Sequence, residues 1–309
     1  YIGKMTVKKS TENKLFFDYL KFLSAKQKSS IPLRKKLEAK GTSEKEKAAI
    51  TQQLTEVGVA ISDYQSNVIS TNSDLFVSVF FKAMKESKTP EFEEVKNDSL
   101  KRLLKYEHYK NHYFDNIDFS DDRINNTPVY HNKVAKFFKS VVYPTPDSIN
   151  KEIDVLLGKT KASDELFKYT TFYLLSHYEA SKIMGMDAVF AHVGLNYYTH
   201  ELAFWSDSTQ IEKIQEKSRK LSPLLLGEKA IDLSLLDTSG NNWENLHNIK
   251  AKYTVLVFWD PDCGHCIKEL PKLSHAVDSL KESIDIKVFS VSSNHNKEWK
   301  TFIKKNNID

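Results

Sequence analysis

Only three residues separate the apolar run Tyr253 to Trp259 (YTVLVFW) from a pair of cysteines, Cys263 and Cys266. A continuous run of β-branched and aromatic residues is how a strand covered on both faces reads. From Cys263 to Leu280 the apolar residues take helical spacing, Ile284 to Val291 (IDIKVFSV) reads as a second buried strand, and Asn296 to Asn306 is helical again. Strand, helix, strand, helix predicts a parallel sheet with crossover connections. The end of a buried strand, the start of a helix and both cysteines therefore coincide. Just upstream, Ile231 to Leu236 followed by Asp237-Thr238-Ser239-Gly240 reads as strand and turn, and Trp243 to Leu246 as a short helical turn.

The first two-thirds of the chain follow the helical period instead. Leu15, Phe16, Tyr19, Leu20, Phe22 and Leu23 predict a helix over 13–28. Ser43 with Glu46 forms a capping box that opens a long helix to about Ser70. Asn72 or Ser73 caps a helix over 74–86, which Pro90 closes, and another runs over 91–112. An Asp- and Asn-rich loop spans 114–128, followed by helices over 130–142, 146–157, 164–184, 187–200 and 207–220. With 9 glycines and 8 prolines in 309 residues, a turn-rich all-β chain is excluded. The expectation is α plus α/β: a helical domain over 1–221 and an α/β domain over 222–309, the junction falling at Ser222-Pro223.

Several function classes lose support. The net charge is only +4, arginine occurs only at 34, 102, 123 and 219, and the lysines alternate with acids, so the charged stretches read as solvated helix faces rather than a nucleic-acid surface. No apolar run is long enough for a membrane span. No glycine-rich phosphate loop and no G-x-S-x-G occurs. The acids Asp115, Asp118, Asp121 and Asp122 lack the glycine and glutamate that a calcium loop needs, and read as helix caps with one partner for Arg123. His192 and His200 read as packing or surface residues, and the aromatic stripe Phe167 to Tyr178 as helix core.

The cysteines are redox chemistry or half of a metal site. Zinc needs four ligands at paired spacings, whereas His265, His275 and His295 form no H-x3–5-H pair and there is no second C-x-x-C, so no metal is expected. Redox chemistry needs a thiolate, and a helix N-terminus lowers a thiol pKa through its free N–H groups and dipole. Cys263 holds that position as nucleophile; Cys266, one turn on, resolves the mixed disulfide. His265 adds a possible positive charge that favours the reduced form, while Asp260 and Asp262 push the other way.

Strand, C-x-x-C and helix, with Pro271 eight residues after Cys263 and the aromatic pair Phe258-Trp259 ahead of it, resemble the thioredoxin superfamily. The hairpin at 232–240 resembles the envelope thiol–disulfide oxidoreductases of the TlpA/ResA type, and Gly264-His265 is the dipeptide used by protein disulfide isomerases. The helical half, at His112 to Asp118, Asp121-Asp122-Arg123 and Thr127-Pro128, is similar to the region preceding the thioredoxin domain in some bacterial TlpA-like proteins. The resemblance implies Cys263 and Cys266 as catalytic residues and Gly264 and His265 as tuning residues. It makes Phe258, Trp259 and Pro271 supports. It implies protein thiol or disulfide substrates, a redox partner protein, no organic cofactor, and a periplasmic or cell-envelope location. The sequence departs from that pattern at Asp262, where tryptophan is usual, and at Val257, where thioredoxins carry the buried acid that helps Cys266; Glu269 is the remaining candidate. The family's cis-proline loop would follow the last helix, so a truncated thioredoxin-like domain is expected. The competing expectation is a binding or scaffold protein whose helical domain engages a partner, with the cysteines structural or regulatory.

Overall fold

The computed structural model describes residues 6–294 and 297–306; the expected start of the last helix at Asn296 and the first five residues lie outside them. Cα packing divides the chain into two units, one ending at Leu226 and the other beginning at Gly227.

The first unit is helical. Helix α1 (Thr11–Glu38) starts where Ser10 accepts the Asn13 N–H at 3.1 Å, and it continues ten residues past the predicted end, through Pro32. It does so because α2 (Glu44–Thr71) lies alongside it: the two helices share the Gln65 Nε2–Tyr19 OH bond at 2.9 Å, and tertiary packing outweighs the propensity cost of one proline. The capping box that opens α2 is present, with Ser43 Oγ accepting from Glu46 N–H and Glu46 Oε2 accepting from Ser43 N–H. Helix α3 (Phe76–Met84) lays Val77 and Phe81 against Tyr19 and Val68, and the Glu12 carboxylate accepts the Val77 N–H at 2.7 Å.

The predicted helix over 91–112 begins only at Asp98, as α4 (Asp98–Asn111), because Asn97 is its cap and accepts the Leu100 N–H. The acidic loop holds a short 3-10 turn at Asp122–Asn126, and Asp121 takes the Arg123 guanidinium through two bonds at 2.8 and 2.6 Å. Helix α5 (Pro128–Lys136) passes into one π turn at Phe137–Val141, which turns Phe137, Phe138 and Val141 inward. Helices α6 (Pro146–Thr160), α7 (Asp164–Glu179), α8 (Asp187–Asn196) and α9 (Ser208–Leu221) complete the larger core. The buried face of α7 is Leu166, Phe167, Thr170, Thr171, Leu174, Leu175 and Tyr178, so the aromatic stripe is core except at Phe172. His192 and His200 are parted, the first pairing with Asp154 at 2.6 Å and the second with Glu212 at 2.9 Å.

The second unit starts with a hairpin, β1 (Ser234–Leu236) against β2 (Trp243–Asn245). Trp243 is thus in a strand, not the expected helical turn, because the Asp237 carboxylate gathers the N–H groups of Ser239 and Gly240 and the Asn242 amide and closes the chain back on itself. The helical turn moves on to Leu246–Asn248. Strands β3 (Tyr253–Trp259) and β4 (Ile286–Ser292) pair in parallel, joined through α10 (Gly264–Leu280), and α11 (Lys297–Lys305) follows. The expected cover on both faces of β3 is not found: among the described residues the sheet has two strands, and Tyr253 and Phe258 are 53% and 64% exposed. An apolar run signals burial only where neighbours exist to supply it. Among the described residues of this unit, Leu246, Trp259, Pro261 and Leu270 are buried.

Helices α8 and α9 meet most closely at Gly194, where a Cβ would stand 2.1 Å from Ser218 Oγ and 3.2 Å from Ser218 Cβ. Ser218 is fully buried, and its hydroxyl has no hydrogen-bond partner among the described residues. Gly194→Ala is expected to cost about 1–3 kcal/mol of unfolding free energy through overpacking. Adding Ser218→Ala removes the clashing oxygen without losing a bond and recovers most of that loss, measurable as a double-mutant cycle in urea.

Candidate functional site

The parallel register sets the site. Trp259 stands opposite Ser292, so the carboxyl ends of β3 and β4 finish side by side, and the Ser293 N–H continues the ladder onto Trp259 C=O at 3.0 Å. Crevices at the carboxyl ends of parallel strands are where such sheets place their chemistry. Trp259 is buried, with the Phe302 ring of α11 at 5.3 Å, and anchors the end of β3.

The loop from Asp260 to Cys263 is shaped by one carboxylate. Asp260 Oδ1 accepts the Asp262 N–H at 2.8 Å, Asp260 Oδ2 accepts the Ser293 hydroxyl at 2.7 Å, and the Asp260 carbonyl accepts the Cys263 N–H at 3.1 Å. The Asp262 carboxylate accepts from the Asn294 amide at 3.1 Å, and Pro261 is buried between the two acids. These bonds hold the Asp260 carboxyl below its ordinary value, first through the Asp262 N–H and then through the Ser293 hydroxyl.

Cys263 is the N-cap of α10, with extended backbone (φ −83°, ψ 110°), and its carbonyl accepts the Ile267 N–H at 3.0 Å. That position sets the residue at the positive end of the helix, beside the unpaired N–H groups of the first turn. The Cys263 thiol is held below its ordinary value, first by the Cys266 N–H, then by the Cys266 thiol and the His265 N–H; burial and the Asp260 charge oppose them. Both thiols are free and partly exposed. The arrangement supplies a stabilised thiolate with a second free thiol one helical turn on, which is what thiol–disulfide exchange requires.

The other expected residues are distributed unevenly. His265 faces solvent, and its backbone N–H rather than its ring is what lowers the Cys263 thiol. Gly264 has open space where a Cβ would be, so no contact demands glycine there. Phe258 points away from cover, leaving the packing to Trp259. Pro271 sits inside α10, where it withholds the N–H that the Ile267 carbonyl would accept. The Glu269 carboxylate is engaged by Lys272 Nζ at 2.8 Å. Ser293, Asn294 and Phe302 are neighbours that the sequence reading missed; the signal available was that Ser293 lies just past the β4 run. Among the described residues no group of three or more His, Cys, Asp or Glu side chains is gathered as metal ligands, and His295 lies outside them.

Comparison with known proteins bears on both units. Residues 226–309 match the AhpC/TSA family, and residues 43–221, more than half of the chain, match a domain of unknown function, DUF5106. No curated protein matches the chain. Among solved structures, a thioredoxin-like protein from Bacteroides caccae ATCC 43185 aligns with a TM-score of 0.51 at 17% identity, over 72% of this chain and 78% of that one, a likeness of fold. A domain of a possible thiol-disulfide isomerase from Cytophaga hutchinsonii ATCC 33406 is 40% identical over 28% of this chain and 58% of that one, with a TM-score of 0.26. The chain belongs to the DUF5106 family, its helical unit joined to an AhpC/TSA thioredoxin-like domain.

Proposed function

We propose that this chain is a thiol–disulfide oxidoreductase acting on protein substrates, with Cys263 as nucleophile and Cys266 as resolving thiol. The observation that carries the reading is the position of Cys263 at the N-cap of α10, one turn ahead of Cys266, where the first-turn N–H groups hold its thiol below its ordinary value. The thioredoxin-like fold supports redox function in general terms. A periplasmic or cell-envelope location and a separate redox partner protein are proposed with it, on the TlpA/ResA resemblance alone.

In the reducing direction the Cys263 thiolate attacks one sulfur of a client disulfide. The client S–S bond breaks, a Cys263–client disulfide forms, and the leaving sulfur departs as a thiolate that takes a proton from water. Cys266 then gives up its proton and attacks Cys263 Sγ. The mixed disulfide breaks, the second client thiolate is released and protonated, and the Cys263–Cys266 disulfide remains. Two electrons pass to the client and two protons accompany them. A dithiol partner restores the pair by the same steps in reverse, which also describes oxidation of a client dithiol.

Redox titration in glutathione or dithiothreitol buffers, followed by alkylation and intact mass, tests the proposal. A reversible two-electron transition between about −120 and −270 mV is expected, the range of dedicated oxidoreductases. No transition in that window overturns it. Iodoacetamide should modify Cys263 before Cys266, with a half-reaction pH below the ~8.5 of a free thiol. Cys266→Ser should accumulate Cys263–client mixed disulfides that Cys263→Ser does not.

A further inference from the structure

The loop ahead of the cysteines carries an acid with no part in the exchange chemistry itself. Asp260 and Asp262 are both close in sequence to Cys263, but the structure separates their roles. Asp262 is turned to the Asn294 amide. Asp260 is bonded on both oxygens, to the Asp262 N–H and the Ser293 hydroxyl, while its carbonyl holds the Cys263 N–H. A carboxylate fixed in this way stays in the turn that leads into Cys263, and its donors keep it ionised. The main-chain bond from Cys263 N–H to Asp260 C=O at 3.1 Å keeps that charge near the thiol, where it opposes the thiolate against the stronger pull of the first-turn N–H groups.

We propose that Asp260 is a positioning residue of the cysteine pair, tied by Ser293 to the end of β4, and that its fixed negative charge beside Cys263 biases the pair toward the disulfide and makes it a stronger reductant. The proposal rests on the oxidoreductase reading above and adds a residue that tunes it. The physical reason is simple: an anion near the sulfur destabilises the thiolate, and whatever destabilises the reduced form of a dithiol lowers its reduction potential. Ser293 sets the strength of the effect, because its hydroxyl withdraws part of the carboxylate's charge. The remaining groups of the site are Cys266, His265 and Glu269 on α10 and Asp262 in the loop; Glu269 is occupied by Lys272, and the His265 backbone N–H lowers the Cys263 thiol.

Two substitutions in the full chain test this, because they alter the two ends of the same tie and shift the chemistry in opposite directions. Asp260→Asn keeps the side-chain shape and an accepting oxygen but removes the charge. It should speed Cys263 alkylation at pH 7 by about three- to tenfold, one unit of pKa being a factor of ten. The equilibrium with glutathione should move toward the dithiol by a similar factor. Ser293→Ala leaves the charge and removes its donor, so alkylation should slow and the equilibrium should move toward the disulfide. The Asp260→Asn effect should shrink in 1 M salt, since exposed charges are screened there. A purely structural tie would move both variants the same way, without salt dependence, and that result overturns the proposal; so does an Asp260→Asn variant that matches the unsubstituted chain. If the unsubstituted chain itself shows no reversible two-electron transition, it is the oxidoreductase reading that fails. Far-ultraviolet circular dichroism and the unfolding midpoint confirm that each variant is folded.

Discussion

The parallel pairing of β3 with β4 is the constraint on which the site depends. One ladder, with Trp259 opposite Ser292, determines where two strands end, and the loop from Asp260 to Cys263 meets Ser293 and Asn294 there. A shift of the register by one residue would carry Ser293 away from the Asp260 carboxylate and turn each β4 side chain to the opposite face. The buried Trp259, held beside Phe302, is what resists such a shift. Cys263 then needs nothing more than the geometry common to helix starts: unpaired N–H groups and a chain entering in extended conformation.

The helical unit is built on a different economy. Its larger core is a cluster that includes the fully buried Tyr130, Ile153, Leu156, Leu157, Leu166, Leu174 and Val189, a smaller one gathers Tyr19, Val68, Val77 and Phe81, and polar bonds are used where elements meet. The Tyr130 hydroxyl is within 2.6 Å of Thr170 Oγ1, and the Gln215 amide donates to the Gly194 carbonyl at 2.6 Å. Buried polar groups of this kind are stable only when paired, so they select one packing among the several that an apolar helix face allows. The second unit buries few apolar side chains, yet it holds the cysteines. Precision there comes from the backbone ladder and the bonded loop rather than from bulk.

Much of this was legible in the residues. The capping box at Ser43 and Glu46, the strand runs over 253–259 and 284–291, and the cysteine at a helix start all depend on local spacing, and local spacing is what a sequence displays. The misreadings have a common cause in contacts between distant residues. Helix α1 runs through Pro32 because α2 supports it. Trp243 is in a strand because Asp237, six residues earlier, closes the turn. Phe258 is open because cover depends on what lies alongside, not on its own character. The partnership of Asp260 with Ser293 spans 33 residues of chain and has no local signal.

The N–H groups at Cys263 couple the redox state of the pair to the stability of the fold around it. Because the folded unit holds this thiol below its ordinary value, the thiolate is more stable folded than unfolded. For a group with a depressed folded-state pKa, that stabilisation is complete above the unfolded thiol's ~8.5 and fades as pH falls through the lower, folded value. Forming the disulfide discharges the sulfur and forfeits it, leaving the first turn of α10 without its anion. Each turnover therefore alternately removes and restores a charge at the start of the helix that carries the reacting sulfurs, above the folded thiol's pKa.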